Sequence, residues 1–250
     1  MTLRLVRELA ASAALALGCA APSGAAVLLH SYDFGAGVVD SVGAQNGTLL
    51  NGASIVGGAL SLDGVDDYVQ FASSIVPTNG SMSVAFWARE DGRSGGFVEF
   101  ISQGATGGPG FYIGHTPAGN VRLTDLKPDS GVATGSVGNW VQYVMTVDAA
   151  SPSTHLFMDG VDVWSTPSAL QSGAGGSATR LGKQFAPYGE YFRGAMDDLS
   201  VYSGALTAGE VNALFQAGRS AAAGTVPEPS SIALVLGALA LSGAGRRRAA

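Results

Sequence analysis

The chain has 250 residues, 19 acidic against 13 basic side chains, a net charge of −6 and a single cysteine. Excess negative charge argues against a nucleic-acid binder, and one cysteine excludes an internal disulfide framework. With 37 glycines and only 13% charged residues set among short apolar runs, the composition is that of a chain with many turns, an all-β domain with targeting segments around it.

Residues 1–26 read as a secretory signal peptide. Arg4 and Arg7 charge its start, Ala10 to Ala21 form an apolar stretch, and Pro22 breaks it. Ser23, Gly24, Ala25 and Ala26 supply small residues for cleavage, near Ala25 or Ala26. A buried N-terminal helix is the alternative, but no polar face divides the apolar residues. A lipid anchor at Cys19 is a further reading, although Ala16 stands where such motifs have leucine. If Cys19 leaves with the signal, the mature chain has no thiol and no disulfide. Residues 27–225 hold 8 basic and 17 acidic side chains, a balance of −9 that attracts divalent cations.

From residue 27 onward, short strands alternate with Gly, Asn-Gly and Asp-Gly turns. VLLHSYDF (27–34) is the first strand; GTLL, GALSLDG and DYVQF (67–71) follow, with turns at Asn46-Gly47, Asn51-Gly52 and Asp63-Gly64. In SMSVAFWARE (81–90), Met82, Val84, Phe86 and Ala88 share one face, and Ala85 and Trp87 share the other. GGFVEFISQ and GFYIGHT are aromatic-rich strands. WVQYVMTVD (140–148) turns Val141, Tyr143, Met145 and Val147 inward, and Trp87 and Trp140 are expected to be core-associated. THLFMDGVDVWS (154–165) is a hairpin closed at Asp159-Gly160. GAMDDLSVYS (194–203) is the last strand. TAGEVNALFQAG then begins a short helix: Thr207 and Glu210 form a capping box, Val211, Leu214 and Phe215 make one apolar face, and Gly218 ends it.

Residues 218–231 are a flexible linker carrying VPEPSS, and residues 232–250 an apolar run ending in Arg246, Arg247 and Arg248. Ile232 to Ala244 is 13 residues, about 20 Å as a helix, against a bilayer core of roughly 30 Å. It is too short for a comfortable permanent span, and trailing arginines mark a cytoplasmic stop. The triplet Pro227, Glu228 and Pro229, the apolar run and the arginine cluster together resemble a PEP-CTERM sorting tail. That resemblance implies a Gram-negative bacterium, export past a signal peptidase, an exosortase cleaving near Pro227–Pro229, and only transient membrane contact. It further implies secretion or surface display, often with exopolysaccharide or biofilm. A simple C-terminal anchor is the plainer alternative.

About a dozen strands and one terminal helix argue for a two-sheet sandwich. The ordered pieces DSVGAQNGTL, GALSLDGVDDYVQF, SMSVAFWAR, WVQYVMTVD, HLFMDGVDV and FRGAMDDLSVYSGALTAGEVNALF resemble the laminin-G-like, concanavalin A-like jelly roll over nearly all of 28–217. The expected fold is therefore all-β, an antiparallel two-sheet jelly-roll sandwich over residues 27–217 with one short C-terminal helix. The resemblance implies fourteen strands, ligand or carbohydrate binding more often than catalysis, and frequently a structural calcium.

Three constellations bear on chemistry. In AMDDLSVY, strict alternation puts Asp197 on the core face with Leu199 and Val201. A carboxylate there needs backbone N–H groups or a hard cation such as calcium, with Asp40 and Asn46 as further ligands; capping a neighbouring turn is the alternative. Asp63, Asp66 and Asp67 form a second acidic group without EF-hand spacing, and Asp63 reads as a turn residue. GKQFAPYGEYFRG (182–194) concentrates Phe185, Tyr188, Tyr191 and Phe192 beside Lys183, Glu190 and Arg193. Tyr188, Tyr191, Phe185 and Arg193 are the candidate sugar-binding residues, since aromatic faces stack on pyranose rings; covering the sandwich edge is the alternative, above all for Phe192.

Catalytic motifs are missing. Neither the E-x-D-x-x-E of jelly-roll glucanases, nor H-E-x-x-H, nor G-x-S-x-G occurs, and His30, His115 and His155 are scattered. The expectation is a non-catalytic binder of extracellular polysaccharide or surface glycan. A purely structural or adhesive matrix protein, and an atypical glycoside hydrolase or lyase built from distant carboxylates, are the alternatives.

Overall fold

The computed structural model describes residues 25–105, 110–124, 129–170, 177–185 and 187–219. The core of the expected signal peptide with Cys19, and the expected sorting residues Pro227, Glu228, Pro229, Arg246, Arg247 and Arg248, lie outside these. The described residues form fourteen strands and one helix: β1 (Val27–Tyr32), β2 (Gly47–Leu50), β3 (Ser54–Val56), β4 (Ala59–Asp63), β5 (Tyr68–Phe71), β6 (Met82–Glu90), β7 (Val98–Gly104), β8 (Gly110–His115), β9 (Val121–Leu123), β10 (Trp140–Asp148), β11 (Ser153–Met158), β12 (Val161–Thr166), β13 (Thr179–Leu181), β14 (Arg193–Ser203) and α1 (Ala208–Ala217).

Two antiparallel sheets face each other. The larger runs β12-β11-β10-β6-β14-β4-β3, with β1 also on β14; the smaller runs β2-β5-β13-β7-β8-β9. Alternation dictates which side chains meet between them. Met82, Val84, Phe86 and Ala88 of β6 and Val141, Tyr143, Met145 and Val147 of β10 all enter the central core, as their spacing predicts. Phe100 of the smaller sheet joins the layers, with its ring centroid 5.8 Å from Phe86, 5.2 Å from Tyr143 and 5.0 Å from Phe192. Phe192 thus lies inside.

The β11–β12 hairpin turns at Asp159-Gly160, where φ is 49° and 77°. Two consecutive positive φ values are the signature of the two-residue hairpin turn that Asp-Gly favours.

The outer face of the larger sheet has its own small core. Ala85, Val144, Phe157 and Tyr202 meet Leu206 and the helix residue Val211, and Leu214 packs on them. Helix α1 begins with the predicted capping box: Glu210 N–H donates to Thr207 Oγ1 (3.3 Å) and Thr207 N–H donates to Glu210 Oε2 (2.8 Å). Phe215 stacks on Trp87 at 5.8 Å. Trp87 and Trp140 are therefore outside the central core, beneath the C-terminal segment rather than between the sheets.

Strand β14 departs from strict alternation. Its register with β6 shifts between Asp197 and Ser200, and Asp198 takes φ 47°. This bulge falls where the strand's second neighbour changes from β4 (residues 193–196) to β1 (199–203). One extra residue shifts the faces. Met196, Leu199 and Val201 all point into the central core. Asp197 sits opposite Trp87, on the outer face, which corrects the expectation that it shares a face with Leu199 and Val201.

Candidate functional site

The outer face of the smaller sheet carries polar and aromatic side chains in rows across the strands. One row runs Thr48, Gln70, Arg180, Ser102 and Tyr112, from β2 through β5, β13 and β7 to β8. A second runs Glu99, Gly114 and Arg122 across β7, β8 and β9. Their strand neighbours Val69, Leu181, Ile101, Ile113, Val121 and Leu123 are in the core, so alternation sends these residues outward.

The β13–β14 connection folds back over this face. Its ends are tied together where Phe192 N–H donates to the Gly182 carbonyl (3.0 Å). Ser102 Oγ donates to the Lys183 carbonyl (2.6 Å), and Arg180 Nη1 donates to the Phe185 carbonyl (2.8 Å). Gln184 uses both ends of its amide: Oε1 accepts from Phe185 N–H (2.8 Å), and Nε2 donates to Glu190 Oε2 (3.3 Å).

Under the connection lies a charged cluster that sequence reasoning did not assemble. Arg122 Nη1 is 3.1 Å from Glu99 Oε1 and 3.4 Å from Glu190 Oε2, and Glu99 is fully buried. The Arg122 guanidinium lies over Tyr112 (4.2 Å) and Phe97 (4.4 Å). Burial works against its charge, but Glu99, with Tyr112 and Glu190, holds the guanidinium pKa above its ordinary value. Gly114 makes the pair fit, because a Cβ there would sit 2.3 Å from Glu99 Oε2. The signal in the sequence was Glu99 between Val98 and Phe100; the other members of the cluster, Arg122, Gln184 and Glu190, stand 23, 85 and 91 residues further on, beyond any local pattern.

The predicted sugar-binding residues divide. Tyr188 stands 59% exposed at the tip of the connection. Tyr191 is half-buried, 5.2 Å from Lys183 Nζ, which also lies 4.3 Å over Tyr68. Phe185 presses its ring onto two glycines: a Cβ at Gly104 or Gly110 would lie 3.0 or 2.1 Å from it. Its ring is a packing element, held against β7 and β8. Arg193 is not brought to this face. It stands opposite Asp63 in the backbone register of β14 and β4, packs on Gly64 and Gly92, and helps Arg89 hold the Asp91 carboxyl below its usual range.

The predicted metal residues also divide. Asp40 and Asn46 are joined, Asp40 N–H donating to Asn46 Oδ1 (2.9 Å). The Asp40 carboxylate accepts from the N–H groups of Ser31, Val42, Gly43 and Gln45, and lies 2.7 Å from His30 Nδ1. Burial alone would raise its pKa, but His30 and these amides bring it down to about 2. It clamps its own loop. Asp197 lies instead on the larger sheet's outer face, with Oδ2 2.6 Å from Arg219 Nη1 and Oδ1 accepting from Asp198 N–H. Asp40 and Asn46 thus meet in the loop after β1, whereas Asp197 is held by Arg219 and by the Asp198 amide. Burial, then the neighbouring charge of Asp198, pushes the Asp197 carboxyl up to about 7 despite Arg219. Asp63, Asp66 and Asp67 do approach one another within 4.8 Å. Asp63 is a turn residue as expected, accepting from Val65 N–H (2.8 Å), while buried Asp67 accepts from Gly52 and Asp63 N–H groups.

Residues 63–212 match the profile of the Concanavalin A-like lectin/glucanases superfamily, and the chain belongs to that family. No curated protein matches it. Among solved structures it is similar to domain 4 of the extracellular arabinanase of Geobacillus stearothermophilus, determined in complex with arabinotriose. The TM-score is 0.64 at 21% identity, over 76% of this chain and 99% of that one. It is also similar to the receptor binding domain of botulinum neurotoxin D (TM-score 0.59, 15% identity, 76% and 52% covered). For Trypanosoma rangeli sialidase the TM-score is 0.61 at 15% identity, with 75% and 32% covered. The chain thus spans about half of the toxin domain and a third of the sialidase. These likenesses establish the fold.

Proposed function

We propose that this protein is an exported, non-catalytic binder of extracellular polysaccharide or surface glycan, displayed or released at a bacterial surface. One observation carries the reading: a loop tied at both ends over a polar sheet face presents Tyr188 to solvent. An exposed aromatic ring on a tethered loop offers a stacking surface for a sugar. The family includes lectins, and the related arabinanase domain was determined with arabinotriose, which supports a sugar as the class of ligand. The non-catalytic part rests on the ties of Glu99 and Glu190 to Arg122, which suit structural carboxylates. Export rests on the N-terminal signal, and exosortase sorting on the Pro-Glu-Pro tail. No described helix is long and apolar enough to cross a membrane.

The test is a glycan array with the wild-type chain and Tyr188→Ala. Binding by the first and loss by the second is the expected outcome. A wild-type protein that retains no glycan overturns the reading, and release of reducing sugar from a bound polymer overturns its non-catalytic part.

A further inference from the structure

The outer face of the smaller sheet over β5 and β13 treats its cations differently from the rest of the protein. Among the described residues, Arg89, Arg93, Arg122 and Arg219 each pair with a carboxylate, and Arg193 acts on Asp91. Arg180 and Lys183 have no acidic partner there, although acidic side chains outnumber basic ones in the chain by 19 to 13.

Both cations are held by neutral groups. Arg180 donates from Nε to Gln70 Oε1 (3.3 Å) and from Nη1 to the Phe185 carbonyl (2.8 Å), which leaves Nη2 with no hydrogen bond to a described residue. Lys183 Nζ rests on the rings of Tyr68 (4.3 Å) and Tyr191 (5.2 Å). Tyr68 and Gln70 are alternate residues of β5, separated by about 7 Å along one face. The two cations therefore stand side by side over one strand, half-buried, with exposed Thr48 next in the row. Contacts to carbonyls and rings fix a cation without neutralising it, so its charge remains for a ligand.

We propose that this patch, formed by Gln70, Arg180, Lys183, Tyr68 and Tyr191, is a subsite for an acidic sugar, one bearing a carboxylate or sulfate group. The proposal rests on the glycan-binding reading and narrows it. Arg offers a fork of donors and Lys a point charge, while the tyrosine rings receive the apolar face of the sugar. The protein's overall negative charge opposes non-specific adsorption of polyanions, so binding at this patch has to be local.

The experiment is titration of the full chain with polygalacturonate, with dextran sulfate, and with their neutral counterparts, carboxyl-reduced polygalacturonate and dextran. The expected result is roughly tenfold tighter binding of at least one acidic polymer than of its neutral counterpart, the scale of a charge-assisted contact. Salt weakens that margin, and Lys183→Gln or Arg180→Gln removes it. The melting temperature of Lys183→Gln stays at the wild-type value. Which acidic polymer shows the margin distinguishes carboxylate from sulfate. Equal binding of acidic and neutral polymers, or a margin untouched by both variants, overturns the proposal. Neutral glycans bound with a Tyr188 dependence but no acidic margin sink this subsite and leave the glycan reading standing; no binding to any polymer or array glycan sinks both.

Discussion

The two outer faces of the sandwich solve the same problem in opposite ways. On the larger sheet, Ala85, Val144, Phe157 and Tyr202 are apolar and helix α1 covers them with Val211 and Leu214. On the smaller sheet, Arg180, Ser102, Glu99 and Arg122 are polar, and the connection over them is held by hydrogen bonds and ion pairs. The first face is closed by the hydrophobic effect, which is non-directional and leaves nothing to recognise a ligand. The second is closed by directional groups, and on the proposed reading some of them receive a ligand. Stability should therefore reside mainly in the first cover and recognition in the second.

The largest expected effect breaks the first cover. Val211→Asp places an unpaired charge where the helix meets the sheet and should cost roughly 3–5 kcal/mol, read as a lowered denaturant midpoint with new dye-binding apolar surface. An unchanged midpoint would show that the helix is dispensable.

Next comes the pH dependence of two carboxylates on different parts of the fold. Asp197 has a folded pKa near 7 against an ordinary 3.8, so the folded chain holds its proton longer than the unfolded one. Its contribution is therefore complete below pH 4 and is lost as pH rises towards 7, by roughly 4 kcal/mol. Asp40 runs the other way: with a folded pKa of about 2, it contributes about 2 kcal/mol above pH 4, lost as pH falls through 2. Melting curves from pH 2 to 8 should show both limbs. Asp197→Asn should flatten the upper limb and Asp40→Asn the lower one; a variant that leaves its limb intact refutes the assignment.

The smallest stability effect belongs to the second cover. Tyr188→Ala should change stability by no more than about 0.5 kcal/mol, as exposed substitutions do, while glycan retention falls. A melting temperature lowered as far as by Val211→Asp would erase the contrast between the faces.

Much of the fold was legible because local signals agreed. Alternation placed Phe86 and Tyr143 correctly, Asp159-Gly160 closed its hairpin, and Thr207 with Glu210 capped the helix. The candidate site was legible only as a cluster of aromatics between residues 182 and 194. Its internal division was not: Tyr188 is exposed, Phe185 is locked on Gly104 and Gly110, and Arg193 belongs elsewhere. Asp197 was misplaced because a single-residue bulge inverts every face assignment that counts by twos, and nothing in AMDDLSVY marks the insertion.

The amino-acid order by itself determined most of the longer strands, the inward faces of β6 and β10 and the terminal helix, because period, turn chemistry and capping act between residues a few positions apart. Tertiary structure alone decided that Arg122 meets Glu99 and Glu190, that Arg219 meets Asp197, and that Arg180 and Lys183 meet no acid among the described residues. Electrostatic pairing depends on distance in space, and cross-strand neighbours far apart in the chain set those distances only once the two sheets have closed.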